Sequence, residues 1–228
     1  MMVQSRTNRF LLIVLVLLAL GVLTMVVSQQ DGKATQRAGV ESQEALVKNY
    51  LAARSDELVL QPGNPVSVVV FSDTDCQFCE KQDARVYNLA REYDEEVSVR
   101  MRPSFLPIYD SFNEGLAVAC VEKLGADFIA VADLQRTLHQ KVYMDDDAEA
   151  LADAAAEYVD RAAYVDCVSD PDMRDQLVRK HLDAAAFGVG RLPHTFIYTE
   201  NSPIFELVGS KSTSTIEALI QEALSYQG

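Results

Sequence analysis

SDTDCQFCEKQDAR, residues Ser72 to Arg85, sets two cysteines three positions apart just after the apolar run PVSVVVF, Pro65 to Phe71. That run is short and rich in β-branched residues, the composition of a buried strand. From Cys76 onward the apolar positions Val86, Leu89 and Ala90 recur among charges, which predicts a helix to about Tyr93. A CxxC pair on the first turn of a helix brings its two sulfurs within bonding reach and leaves the first at the exposed end. Unpaired N–H groups and the positive end of the helix dipole favour a thiolate there. Cys76 is therefore the candidate nucleophile and Cys79 the resolving thiol.

Two other readings of the pair stand beside this one. A zinc half-site needs two further ligands, yet there is no second CxxC and no HxxxH, and Cys120, Cys167, His139, His181 and His194 are isolated in the sequence. Inert core thiols are the other alternative. The redox compartment weighs between them, and the N-terminus bears on it. No charged residue occurs from Phe10 to Gln30, and Phe10 to Val27 (FLLIVLVLLALGVLTMVV) is almost wholly apolar. At about 1.5 Å per residue such a helix crosses most of a bilayer core of about 30 Å. Arg6 and Arg9 precede it, which asks for a cytoplasmic N-terminus, although Lys33 and Arg37 beyond the run reduce the asymmetry. The run is longer than a signal-peptide core, and its exit MVVSQQ, Met25 to Gln30, has no AxA-like site, which favours a retained anchor over a cleaved signal. Either way the cysteines meet an oxidising compartment, and redox chemistry is favoured over zinc or inert thiols.

Composition agrees with one good-sized domain plus an appendage: 228 residues, 49% of them hydrophobic, leave room for a buried core. The 34 acidic residues against 20 basic give a formal charge of -14, which speaks against nucleic acid or anionic headgroups as partners. Four cysteines are too few for a disulfide-stapled scaffold of this length.

The expected organisation is a cytoplasmic N-terminus over 1–9, a transmembrane signal anchor over 10–28, a linker and N-terminal helix over 29–60, and an α/β domain over 61–228. Glu44 to Leu58 carries Leu46, Val47, Tyr50 and Leu51 at helical spacing, and QPGN, Gln61 to Asn64, ends it. Glu96 to Arg102 (EVSVRMR) alternates as a second strand. A helical block follows over about 112–187, predicted as Phe112–Leu124, Asp127–His139, Ala148–Val168 and Met173–Phe187. HTFIYT, His194 to Thr199, and IFELV, Ile204 to Val208, read as a hairpin, and Thr213 to Ser225 as a closing helix capped by Ser212 or Thr213. Cys120 and Cys167 share helix faces with small and apolar neighbours and should point into the helical block.

VVVFSDTDCQFCEKQ, the helical block and the proline–strand–strand–helix ending resemble the DsbA-type extracytoplasmic thiol:disulfide oxidoreductases of the thioredoxin superfamily. The likeness runs roughly from Pro65 to the C-terminus and implies a thioredoxin-like fold with an inserted helical domain. It implies that Pro193 in GRLPHTF is a cis-proline facing the disulfide, and that Leu192 before it lies against the sulfurs and offers backbone hydrogen bonds to a substrate strand. It also implies a structural disulfide between Cys120 and Cys167, as some members carry. Leu192 and His194 depart from the commoner TPTF wording, which bears on substrate selectivity and redox tuning. No metal and no organic cofactor is implied. The partners implied are exported cysteine-containing proteins and a membrane redox protein, quinone-linked or reductant-transferring, that recycles the pair. A dedicated thiol reductase, for example in cytochrome c maturation, is the alternative within this class. A noncatalytic thioredoxin-fold module that binds partners is the alternative outside it.

The residues between and before the cysteines bear on direction. Gln77 and Phe78 bring no cation, and Asp73 and Asp75 disfavour a second negative charge beside Cys76. The expectation is a weaker oxidant than the strongest family members. His194 reads as a strand histidine with a satisfied hydrogen bond, with a thiolate-stabilising cation as the other possibility.

Overall fold

The computed structural model describes residues 43–52, 59–104, 111–140 and 148–227. The expected anchor over 10–28 and most of the expected linker lie outside the described residues, and among these no helix is long and apolar enough to cross a membrane. The chain divides into two units, Met1–Tyr50 and Leu51–Gly228. In the first, residues 43–50 are helical. The second holds everything that follows.

Its elements are β1 (Val66–Ser72), α1 (Gln77–Glu92), β2 (Val97–Pro103), α2 (Phe112–Lys123), α3 (Phe128–Gln140), α4 (Ala148–Ala155), α5 (Arg161–Ser169), α6 (Pro171–Ala186), β3 (His194–Tyr198), β4 (Phe205–Val208) and α7 (Thr213–Ser225). The four strands form one mixed sheet in the order β2-β1-β3-β4, with β1 parallel to β2 and antiparallel to β3. β3 and β4 make the expected hairpin. Strand alternation gives each face its own chemistry. Val66, Val68 and Val70 of β1, with Val97 and Val99 of β2 and Ile197 of β3, meet Val86, Leu89 and Ala90 of α1 and Ile216, Ile220 and Ala223 of α7 in one core. On the other face, Phe71 and Phe196 meet edge to face at 6.0 Å, and two buried arginines of β2 are accommodated by aromatic and carbonyl partners. Arg100 donates to the Tyr198 hydroxyl at 3.0 Å, and Arg102 to the Ala52 carbonyl at 3.2 Å.

The helices between β2 and β3 make a second core. Gly115 to Val121 of α2 are buried on every side, so this helix is the axis of the insertion rather than a one-faced surface helix. Phe128 and Ala132 of α3 turn instead into the core of the sheet, joining insertion and sheet. The stretch expected as one helix over Ala148–Val168 is two. Asp160 adopts an extended conformation and accepts the Ala163 N–H at 2.9 Å, and this N-cap starts α5 afresh. Ser212, not Thr213, caps α7.

Cys120 of α2 and Cys167 of α5 are bonded, with Cα atoms 5.9 Å apart and 47 residues of sequence separation. Chain-entropy arithmetic for a loop of that size gives at most about 4 kcal/mol. The double variant Cys120→Ala/Cys167→Ala should therefore stay folded but lose up to about 4 kcal/mol, read as a lower urea midpoint. An unchanged midpoint would show that the bond contributes nothing to stability.

Candidate active site

β1 delivers the chain to the CxxC turn, and the turn is built from Asp73. The Asp73 carbonyl accepts the Cys76 N–H at 3.2 Å, and its Oδ1 accepts the Asp75 N–H at 3.0 Å. This local bonding is what a short acidic side chain does in turns. Cys76 then occupies the N-cap of α1 in an extended conformation, with its Sγ accepting the Cys79 N–H at 3.2 Å. The two cysteines are joined, with Cα atoms 5.1 Å apart. Cys76 is partly exposed and Cys79 is wholly buried. A reaction partner therefore meets the Cys76 sulfur first.

What fixes α1 at the end of the sheet is a polar clamp at a position that looks apolar. Gln82 is fully buried on the helix face of Cys79, Val86 and Leu89. Its amide donates to Thr195 Oγ1 of β3 at 3.1 Å, and its carbonyl accepts the Lys211 N–H at 2.9 Å. Arg85 adds bonds to Ser210 Oγ at 2.8 Å and to the Lys211 carbonyl at 2.7 Å. Losing such a partner leaves an unsatisfied group at a cost of about 1–3 kcal/mol. A second cluster ties α1 to α3: the Ser72 hydroxyl donates to Asp83 Oδ2 at 2.5 Å, and Gln135 donates to the same oxygen at 3.3 Å.

Register carries the proline loop to the same place. Phe71 near the end of β1 pairs with His194 at the start of β3, so Leu192 and Pro193 lie at the end of the sheet from which the CxxC turn leaves. The Leu192–Pro193 peptide is cis. Gly209, at a positive φ of 77° that suits glycine, turns its N–H onto the Pro193 carbonyl at 2.8 Å. His194 is buried, stacks on Phe196 and bonds through Nε2 to Glu206 at 2.7 Å. It has a strand partner, as the first of its two readings expects.

Charge around the sulfur is mixed. The helix terminus and the Cys79 N–H favour a thiolate at Cys76. Buried Asp73 and, in the first turn, Glu80 oppose it. Phe78 is 62% exposed, with the Lys81 ammonium 6.0 Å from its ring, so the residues inside the motif face solvent. His181, for which the sequence offers no reading, is buried, and its Nδ1 lies 3.3 Å from Ser104 Oγ. Burial pushes its imidazole below the ordinary range, and the Asp73 carboxylate opposes that shift. Its signal was its place on the α6 face of Met173, Leu177 and Ala184, where a histidine is the polar exception. Gln82 carried the same signal in α1.

A family model described as thioredoxin matches residues 61–222. No curated protein matches significantly. Among solved structures the fold is similar to the catalytic domain of Proteus mirabilis ScsC, at 21% identity and a TM-score of 0.64, covering 80% of this chain and 98% of that one. It is similar to Salmonella enterica Typhimurium BcfH at 18% identity and a TM-score of 0.66, with 97% of each chain covered. Chlamydia trachomatis DsbA matches at 17% identity and a TM-score of 0.61, covering 78% of this chain and 96% of its own.

Two expectations follow from this geometry. With acids opposing the helix terminus, the Cys76–Cys79 couple should be more reducing than the roughly -120 mV of DsbA, read by equilibration with glutathione. A value at or above that figure overturns the electrostatic argument. The second concerns acid. A histidine whose folded pKa is depressed contributes stability that is present above its unfolded value of about 6.5 and is lost as pH falls through it. The fall in urea midpoint from neutral to mildly acid pH should therefore be smaller in His181→Leu than in the wild type.

Proposed function

Because the chain belongs to the thioredoxin family, we propose that it is a thiol:disulfide oxidoreductase, held to the membrane by residues 10–28, that exchanges disulfides with exported proteins outside the cytoplasm. The observation that carries the reading is a partly exposed Cys76 Sγ, capping a helix and bonded to a wholly buried Cys79, at the sheet end that also holds Leu192 and Pro193. That arrangement supports attack at one sulfur and resolution by the other.

In the oxidising direction a substrate thiolate attacks Cys76 Sγ and the Cys76–Cys79 bond breaks. Cys79 leaves as thiolate and takes a proton. A second substrate thiolate then attacks the substrate sulfur of the mixed disulfide and releases Cys76 as thiolate. The substrate loses two electrons and the protein gains them. Run backward, the Cys76 thiolate attacks a substrate disulfide and Cys79 resolves the adduct. The Leu192–Pro193 edge offers backbone groups to the substrate strand, and a membrane redox partner returns the pair to its starting state. The anchor is supported by the uncharged span from Phe10 to Gln30. The buried acid beside Cys76 favours a reductase as the second reading, in which the same thiols run the other way.

Cys79→Ala in the full chain should trap exported proteins as mixed disulfides on Cys76, seen as adducts that a reductant releases. Adding Cys76→Ala should abolish them. An adduct-free Cys79→Ala protein in cells that express it in the envelope would count against exchange chemistry.

A further inference from the structure

His194 takes no part in the exchange reaction, yet it joins the two stretches of chain that frame the Cys76 sulfur. It follows Pro193 directly and opens β3. Its backbone is paired on one side with Phe71 of β1, the strand that feeds the CxxC turn, and on the other with Val208 of β4. The ring is held from two directions. It stacks on Phe196 at 4.7 Å, and Phe196 in turn meets Phe71 edge to face. Across the hairpin its Nε2 donates to the Glu206 carboxylate at 2.7 Å, while Nδ1 is buried with no partner among the described residues. Glu206 is therefore the polar contact that orients this imidazole, and it stands on β4, an edge strand of the sheet. The loop backbone is fastened to the same strand's end, where the Gly209 N–H meets the Pro193 carbonyl.

We propose that His194 and Glu206 are positioning residues for substrate binding: the bond between them holds the Leu192–Pro193 backbone in the orientation from which it offers hydrogen bonds to a substrate strand. This deepens the proposed function and rests on its reading of that loop. The pyrrolidine ring locks φ of Pro193, so few torsions separate the His194 Cα from the Leu192 carbonyl, and a shift of one moves the other. A strand edge binds through several main-chain groups at once, and misalignment weakens them together. The sulfurs are carried by α1 and its turn, whose bonds from Gln82, Arg85 and Asp73 do not include this pair. Breaking the His194–Glu206 bond should thus loosen the hold on an extended substrate and spare the chemistry at Cys76.

The measurement is the single-turnover reduction of the oxidised full-length protein by a synthetic extended peptide with two cysteines, followed by quenched flow and thiol labelling over a range of peptide concentrations. Glutathione, too short to lie along a strand edge, is run beside it. The Glu206 side chain is 55% exposed, so Glu206→Leu disturbs little packing. It should raise the half-saturating peptide concentration about tenfold, the scale of one lost hydrogen bond to a charged group, with the limiting rate and the glutathione rate close to wild type. His194→Leu should do the same, and the double variant should add little to either single change. Glu206→Gln keeps an acceptor for Nε2 and should restore most of the peptide binding. The inference is overturned if Glu206→Leu leaves the peptide titration unchanged, if peptide and glutathione rates fall in the same proportion, or if the wild type shows no saturation by peptide. Should His194→Leu not fold, His194→Phe, which keeps a ring against Phe196 and loses the bond, takes its place. A wild type that reacts with both thiols while every variant matches it sinks this inference alone. A wild type inert toward both sinks the functional reading beneath it.

Discussion

A sulfur that caps a helix must be held where the first-turn N–H groups are free, and most of what surrounds Cys76 serves that placement. The Cys79 N–H points at the Cys76 sulfur because residue 76 is extended and residue 77 already helical. Such a cap is only as good as the anchoring of the helix behind it. α1 is anchored twice: through the apolar contacts of Val86, Leu89 and Ala90, and through the Gln82 amide, which bonds β3 and the approach to α7 together. Apolar burial alone is non-directional and would tolerate rotation or sliding of the helix. The directional bonds of Gln82 and Arg85 do not, and they fix the sulfur relative to the proline loop.

The insertion is built as a separate core yet is not independent of the sheet. α2 is buried all round and is bonded to α5 through Cys120 and Cys167, which gives the insertion its own axis. Phe128 and Ala132 of α3 leave that core for the other, and Gln135 on the same helix reaches Asp83 of α1. At its far end, α6 brings His181 to Ser104. The insertion therefore reaches the body of α1 at Asp83, the end of β1 at Ser72 and the residue after β2 at Ser104.

Much of this arrangement was legible in the sequence. A β-branched apolar run marks β1, strict alternation in EVSVRMR marks β2 and HTFIYT marks β3, each to within a residue or two. The break at Asp160 was missed because alanine-rich helical spacing continues on either side of it, and only the cap bond to Ala163 distinguishes a new helix from a continued one. Gln82, Asp83, Gln135 and His181 were missed for a common reason. Each has a partner far away in sequence, 52 positions between Asp83 and Gln135, 129 between Gln82 and Lys211 and 77 between His181 and Ser104, so no local pattern announces it. What was visible was an exception, a polar side chain on an otherwise apolar helix face.

Charge at the Cys76 sulfur depends on a buried neighbour more than on the exposed pair inside the motif. Gln77 and Phe78, the pair that distinguishes CQFC from other CxxC wordings, face water, where charge effects are damped. Asp73 lies three residues before Cys76 and is buried. A charge in that position is shielded by protein instead of solvent, so it weighs more on the sulfur than an exposed neighbour of the same sign such as Asp75. The helix terminus pulls toward thiolate with a partial charge, and the Asp73 carboxylate opposes it with a formal one. The pull of the helix terminus and the push of the buried acid therefore meet at the Cys76 sulfur, and that balance, more than the identity of Gln77 and Phe78, sets how readily it carries charge.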